Sequence, residues 1–203
     1  MKIFYSATSP FVRKCLVAAH ELGLRERLVL VPASPHPIDR SAEIVAHNPL
    51  GKAPTLIADD GTALYDSRVI CEYLNALGDG RLIPAAGAAR WTVLVQQSLG
   101  DGILDAAVLA RYETAVRPAQ LRWGAWTAGQ LDKVECGLAE IERAAERFGG
   151  RVDVGTIAIA CALGYLDLRF GSLGWRNKCP AAAAWYGRFA SRESMISTVP
   201  PAA

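Results

Sequence analysis

The sequence predicts a small α/β unit followed by an all-helical one, on three observations. The first 77 residues alternate strand and helix patterns and contain a strong hairpin signal. A stretch rich in Gly, Ala and Pro follows, from Gly78 to Ala89. Beyond it no segment has strand patterning, and apolar residues recur at helical spacing to near the C-terminus. The expected boundaries are residues 1–78 for the α/β unit, 79–89 for a linker and 90–203 for the helical unit.

Lys2–Ser6 is a short strand pattern. Ser9 has N-cap chemistry, and Pro10 stands at the first helical position, where its missing N–H costs nothing. Val12, Cys15, Leu16, Ala19 and Leu22 recur at helical spacing, and Gly23 supplies the stop. Leu28–Val31 is a continuous apolar run, the pattern of a buried strand. Arg40–His47 fits a brief helix. Thr55–Ala58 and Thr62–Tyr65 flank Asp59-Asp60-Gly61, and Asp-Gly between such runs marks a hairpin. Ser67–Leu77 returns to helix. A strand–helix–strand unit implies a right-handed crossover and two parallel strands, to which the hairpin adds antiparallel ones.

In the second unit, Trp91–Val116 is a long helical pattern with an expected bend at Gly100 and Gly102. Leu131, Val134, Leu138, Ile141, Ala145 and Phe148 form the stripe of a core-facing helix that ends at Gly149-Gly150. Thr156–Phe170 is apolar nearly all round, as the central helix of a bundle is, and Ala181–Ser191 is a last helix.

Composition narrows the function classes. The chain is 51% hydrophobic with a net charge of +2, which excludes disorder. Its longest run free of Asp, Glu, Lys and Arg, Val154–Leu166, falls short of the roughly 18–20 residues of a spanning helix. No membrane span is expected, and without a secretory pattern at the start the expected location is cytoplasmic. Neither half carries a basic stripe, so nucleic acid is not an expected partner. Cys15, Cys71, Cys136, Cys161 and Cys179 are scattered, with no ligand spacing to the three histidines. That pattern fits buried thiols in a reducing compartment, with no metal site.

Several motifs then sharpen the reading. Thr8-Ser9-Pro10-Phe11-Val12-Arg13-Lys14, Asn48-Pro49-Leu50-Gly51-Lys52-Ala53-Pro54, Asp66-Ser67, Arg117-Pro118 and Pro180 with Trp185 stand in the order and context of one family. Together they make the chain resemble the glutathione S-transferase superfamily, in particular its bacterial serine-type cytosolic members. The resemblance implies a thioredoxin-like N-terminal domain, a helical-bundle C-terminal domain, a homodimer, and glutathione as co-substrate with no other cofactor.

The resemblance also implies roles. Ser9 would be the catalytic residue, its hydroxyl and the helix start stabilising the glutathione thiolate, with Tyr5 and Thr8 as fallbacks. Ser9-Pro10 occupies the slot that holds Cys-Pro in redox relatives, which favours conjugation over thiol–disulfide exchange. Cys15 lies on the apolar stripe and is assigned to packing. A cis peptide before Pro54 would let Ala53 present its backbone to the extended tripeptide. Ser67, at a helix start, would hold the γ-glutamyl carboxylate with its backbone N–H and hydroxyl, next to Asp66 as a further glutathione contact, unless Asp66 or Ser67 serves only as a cap. Lys52, with His36 as another candidate, would neutralise the glycyl carboxylate. Phe11 would contact glutathione and, with Arg111, Tyr112 and Trp123, line an electrophile pocket. Asp101 or Asp105 would reach the partner subunit's ligand.

Two departures from the family pattern stand out. Thr156 would open the central helix, but Ile159 stands where the reciprocal acidic residue of a capping box belongs, predicting a start weaker by about 1 kcal/mol. Asp66 is one methylene shorter than the family's Glu, which would loosen contacts there. The expected function is conjugation of glutathione to a hydrophobic electrophile in detoxification. The alternatives are glutathione-dependent isomerisation, ether cleavage or dehalogenation, or a non-catalytic protein-interaction module of the same fold.

Overall fold

The computed structural model describes residues 1–201. Its chain divides into two compact units, residues 1–91 with 193–201, and residues 92–192. The first unit holds a four-stranded sheet in the order β2-β1-β3-β4, formed by Lys2–Tyr5 (β1), Val29–Pro32 (β2), Leu56–Ile57 (β3) and Ala63–Leu64 (β4). β1 pairs parallel with β2, with Ile3 opposite Leu30, and antiparallel with β3, with Ile3 opposite Leu56. β3 pairs antiparallel with β4 through Leu56 and Leu64. The parallel pair and the hairpin are those the sequence predicts.

Helices α1 (Pro10–Glu21), α2 (Ala42–Val45) and α3 (Ser67–Leu77) complete the α/β part. α1 ends as expected, with Gly23 at φ +68° and the Leu24 N–H donating to the Ala19 carbonyl. Val12, Cys15 and Ala19 are fully buried with Ile3, Leu56, Ile70 and Leu74, so Cys15 is a core side chain. β2 differs from expectation. It is an edge strand with Val29 58% exposed, because an apolar run records β propensity without recording how many neighbours the strand has.

A short helix, α9 (Glu193–Ile196), packs against α1, so Glu193–Pro201 lie with the first unit. The sequence reading places this segment with the helical unit. It carries no strand or stripe signal, and its position is set by hydrogen bonds to α1.

The second unit contains α5 (Gly124–Phe148), α6 (Val154–Arg169), α7 (Trp175–Lys178), α8 (Pro180–Ala190) and most of α4 (Gly87–Ala115). α4 begins inside the expected linker and runs unbroken through Gly100 and Gly102. Gly100 serves close approach: a Cβ there would stand 2.6 Å from the backbone carbon of Ala158 on α6. Gly137 on α5 similarly faces Ile103, at 2.6 Å from an added Cβ. α6 is buried without interruption from Val154 to Leu166, as a central helix should be.

The start of α6 is better capped than expected. Asp153 is the N-cap, its carboxylate accepts from the Thr156 N–H at 2.9 Å, and the Thr156 hydroxyl accepts from the Asp153 N–H at 3.0 Å. The box is complete, one turn earlier than the sequence reading placed it, because Thr156 is its third helical residue and not its cap. The expected deficit at this helix start therefore does not arise.

α5 begins before its apolar stripe. Its N-cap residue, Trp123, is tied to α4, where the Glu113 carboxylate accepts from the Trp123 N–H at 2.7 Å and from Arg117 Nε at 2.6 Å. The Trp123 hydrogen bond and the Arg117 guanidinium hold the Glu113 carboxyl below its usual range. A folded-state value below the unfolded one stabilises the fold above the ordinary glutamate range, and that contribution is lost as pH falls through the folded-state value. Glu113→Gln is therefore expected to show its full stability deficit near neutrality and a shrinking one below about pH 4. Urea denaturation at a series of pH values checks this, and a deficit independent of pH would contradict it.

By length and composition α4 is apolar enough to cross a membrane, with mean hydropathy 1.2 over its best 18 residues, half of them buried inside the protein. Asp101 and Asp105 break this stretch into short uncharged runs, so the uncharged-run criterion passes over it. Asp101 is itself buried on the packed face, with Gln97 and Glu113. All five cysteines are free, and Cys136 is exposed, contrary to the expectation of buried thiols, since it lies off the α5 stripe.

Candidate functional site

The strand register brings three of the sequence motifs to one end of the sheet. β3 runs against β1 and β4 runs with it. Hence the segment after β1, the segment before β3 and the segment after β4 share an end. These hold Ser6–Ser9, Ala53-Pro54 and Asp66-Ser67 respectively. The Phe4 N–H bonds the Thr55 carbonyl at 2.9 Å, fastening the Pro54 segment beside β1. The Cys15 thiol approaches the Ser67 carbonyl at 3.8 Å, fastening the start of α3 against α1.

Ser9 is the N-cap of α1, with extended backbone and a hydroxyl that accepts from the Val12 N–H at 3.3 Å. That bond uses one lone pair and leaves the O–H free to donate, so capping does not exclude a second role. Pro10 has no N–H, and the first turn of α1 contains no acidic residue. The positive end of the helix dipole is therefore not neutralised from within the helix. Tyr5 ends β1 and lines a small cavity of about 70 Å³ together with Ser9. Thr8 stands in the turn between them, and Phe11 is half-buried on α1.

The Ala53–Pro54 bond is cis. Among the described residues no hydrogen bond engages the Ala53 backbone, whereas the preceding Lys52 carbonyl accepts from Asn48 Nδ2 at 3.2 Å and the Thr55 hydroxyl at 2.8 Å. The Lys52 side chain is exposed. Asp66 is the N-cap of α3 and accepts from the Arg68 N–H at 2.9 Å. Ser67 is the first helical residue and only 2% exposed. His36 stands apart in its own loop, where Nδ1 accepts from the N–H groups of Ile38 and Asp39, at 3.3 and 3.0 Å.

The candidates in the second unit lie on α4 and at the start of α5. Arg111 and Tyr112 lie within electrostatic reach of Tyr165, whose phenol burial pushes above its usual range. Trp123 lines a different cavity, about 340 Å³, with Trp126, Leu121, Glu113 and Arg117. Asp101 is buried on α4 and Asp105 is exposed. No group of three His, Cys, Asp or Glu suited to a metal ion occurs among the described residues.

Comparison with known proteins is decisive for the family. Residues 8–77 match the glutathione S-transferase N-terminal domain model, and residues 124–188 match the C-terminal domain model. The uncharacterised GST-like protein YibF of Escherichia coli K12 is 32% identical over 207 residues, covering all of both chains. The chain belongs to the glutathione S-transferase family. Among solved structures, it is similar to a glutathione transferase family member from Pseudomonas fluorescens Pf-5 with bound glutathione, at TM-score 0.96 and 44% identity over 98% of each chain. A glutathione S-transferase from Methylobacillus flagellatus KT, also with glutathione bound, is 38% identical at TM-score 0.87 over 98% of each chain. The fold is thus a thioredoxin-like domain followed by the helical domain of this transferase family.

In this family member the sequence motifs miss two features near Ser9. Arg13 is quoted in the motif but given no role, although its side chain is buried and lines the Ser9 cavity. The C-terminal segment lines the same cavity through Ser197, Thr198 and Val199. A buried arginine in a helix stripe is the signal that could have pointed to the first. Nothing local points to the second.

Proposed function

We propose that this chain conjugates glutathione to a hydrophobic electrophile, with Ser9 as the catalytic residue that stabilises the thiolate. The observation that carries the reading is the meeting of a donor hydroxyl at an un-neutralised helix start, an unbonded backbone edge at Ala53 and a second helix start at Ser67, all at one end of one sheet. Relatives that bind glutathione support it.

In this reading the cysteinyl unit of glutathione pairs with the Ala53 backbone before Pro54, as a short added strand. The γ-glutamyl carboxylate meets the N-terminal end of α3, where Asp66 fixes the helix start and Ser67 offers its amide. Phe11 flanks the tripeptide. The thiol loses its proton to solvent, the Ser9 O–H donates to the resulting anion, and the sulfur attacks an electrophilic carbon. A thioether forms as the leaving group departs, with no covalent enzyme intermediate. Arg111, Tyr112 and Trp123 are the helical-domain residues assigned to the electrophile. By family likeness the same reading makes the protein a cytosolic homodimer active in detoxification.

Lys52 is assigned to the glycyl carboxylate. An exposed ion pair is worth at most about 1 kcal/mol, so Lys52→Ala is expected to weaken glutathione binding about two- to fivefold, more at low salt. Calorimetry with glutathione, and with its C-terminal amide, checks the assignment. The amide should bind the wild type and the variant equally, and an equal loss for both ligands would remove Lys52 from the role. The function itself is tested by titrating glutathione into the protein and assaying turnover of a chloronitrobenzene. Failure to bind glutathione would leave only an interaction module.

A further inference from the structure

We propose that Arg13, fastened by the C-terminal segment Glu193–Val199, is a positioning residue that holds the Ser9 turn and supplies positive field to the anion that Ser9 stabilises. Arg13 follows Ser9 by one helical turn, and side chains in a helix lean toward its N-terminus, which carries the guanidinium back toward the Ser9 turn. Ser9 and Arg13 accordingly line one cavity, with Tyr5, Ser6, Arg25 and Thr198.

The partners of Arg13 make the arrangement unusual. The residue is 7% exposed, yet its guanidinium donates to neutral groups, the Met195 carbonyl at 3.0 Å and the Thr198 hydroxyl at 3.4 Å. No carboxylate pairs with it among the described residues, and the titratable or charged groups lining the cavity are Tyr5, Arg13 and Arg25. A buried charge without a counter-charge is costly, and an anion bound nearby offsets that cost. Its acceptors are themselves held in place. The Thr198 hydroxyl donates to the Ser194 carbonyl at 2.7 Å, and the Ser194 hydroxyl donates to Glu21 at the far end of α1 at 2.5 Å. The C-terminal segment thus spans α1 and fixes where the guanidinium sits.

This inference rests on the reading of Ser9 given above, and its test separates the two. The quantity to measure is the pKa of the thiol of bound glutathione, from ultraviolet thiolate absorbance, in the wild type, Arg13→Lys and Arg13→Met. An opposite charge at short range shifts a pKa by one unit or more, so Arg13→Met is expected to raise the bound thiol by about one unit. Arg13→Lys, which keeps the charge but cannot make the same two contacts, should raise it by about half a unit. Turnover at mildly acidic pH should fall about tenfold in Arg13→Met through kcat, with KM for glutathione within about threefold. If Arg13 merely staples the C-terminus, thermal stability falls while the bound thiol titrates as in the wild type, and the proposal is overturned. Should Arg13→Met fail to fold, Arg13→Lys decides: a rise of half a unit supports the proposal and no rise overturns it. A wild-type bound thiol that titrates like free glutathione would overturn the Ser9 reading as well.

Discussion

Ser9→Ala is expected to lower kcat/KM for glutathione conjugation by about thirtyfold near neutral pH, because a hydrogen bond to a charged group contributes about 2 kcal/mol. The loss should fall mainly on kcat, since the hydroxyl acts on the sulfur while the carboxylates and the Ala53 edge hold the rest of the tripeptide. The sign of the pH dependence follows from the same picture. A thiol ionises unaided near pH 8.5, so the deficit of the variant should narrow as pH rises through about that value. The hydroxyl is also the cap of α1. The variant should therefore lose about 1 kcal/mol of stability, which a denaturation curve reads separately from activity. A variant with wild-type turnover across pH 6 to 9 would contradict the assignment, and a matching loss in Tyr5→Phe would transfer the role to Tyr5.

Gly100→Ala is expected to be the most destabilising single-methyl change in the helical unit. The added Cβ would stand 2.6 Å from the Ala158 backbone carbon and 2.8 Å from the Ile159 nitrogen, so backbone must move, not a flexible side-chain tip. Overpacking of this kind costs about 3 kcal/mol, which lowers Tm by about 10 °C for a protein of this size. Gly102, on the same helix, is the internal control. Nothing lies within 4 Å of a Cβ built there, so Gly102→Ala should raise stability by about 0.5–1 kcal/mol through helix propensity alone. Thermal melts of the two variants should move in opposite directions. Equal shifts would mean that both glycines act on the helix backbone and that the α4–α6 approach is looser than described.

These two glycines show where the sequence is legible and where it is not. Both interrupt the same helical pattern, and composition alone assigns both to a bend. Only the position of Ala158, distant in sequence, separates one as a packing contact. Local chemistry reads well: Ser9-Pro10 opens α1, Gly23 closes it, Asp59-Asp60-Gly61 turns the hairpin, and α3 spans the residues its pattern predicts. Features that depend on distant partners do not. The edge position of β2, the start of α5 under Glu113 and the return of the C-terminal segment to α1 each require a neighbour that no local window contains. The capping box at Asp153 is a different case, since its residues are adjacent and only the helix register was misplaced.

The candidate site divides in the same way. Motifs carried by turns and caps are legible because Ser9, Pro54 and Asp66 act through local backbone geometry. Lining residues are not, because a helical stripe gives the face of a residue and not the cavity it meets. Trp123 illustrates this: its exposed indole lines a cavity with Trp126 and Arg117 that the spacing of its own helix does not reveal.

The most direct measurement is the ionisation of the sulfur itself: ultraviolet titration of glutathione bound to the wild type and to Ser9→Ala. The account predicts thiolate at neutral pH in the wild type, about two units below the free thiol, and a return most of the way to the free value in the variant. A bound thiol that stays protonated at neutrality, or one that titrates identically in both proteins, would contradict it.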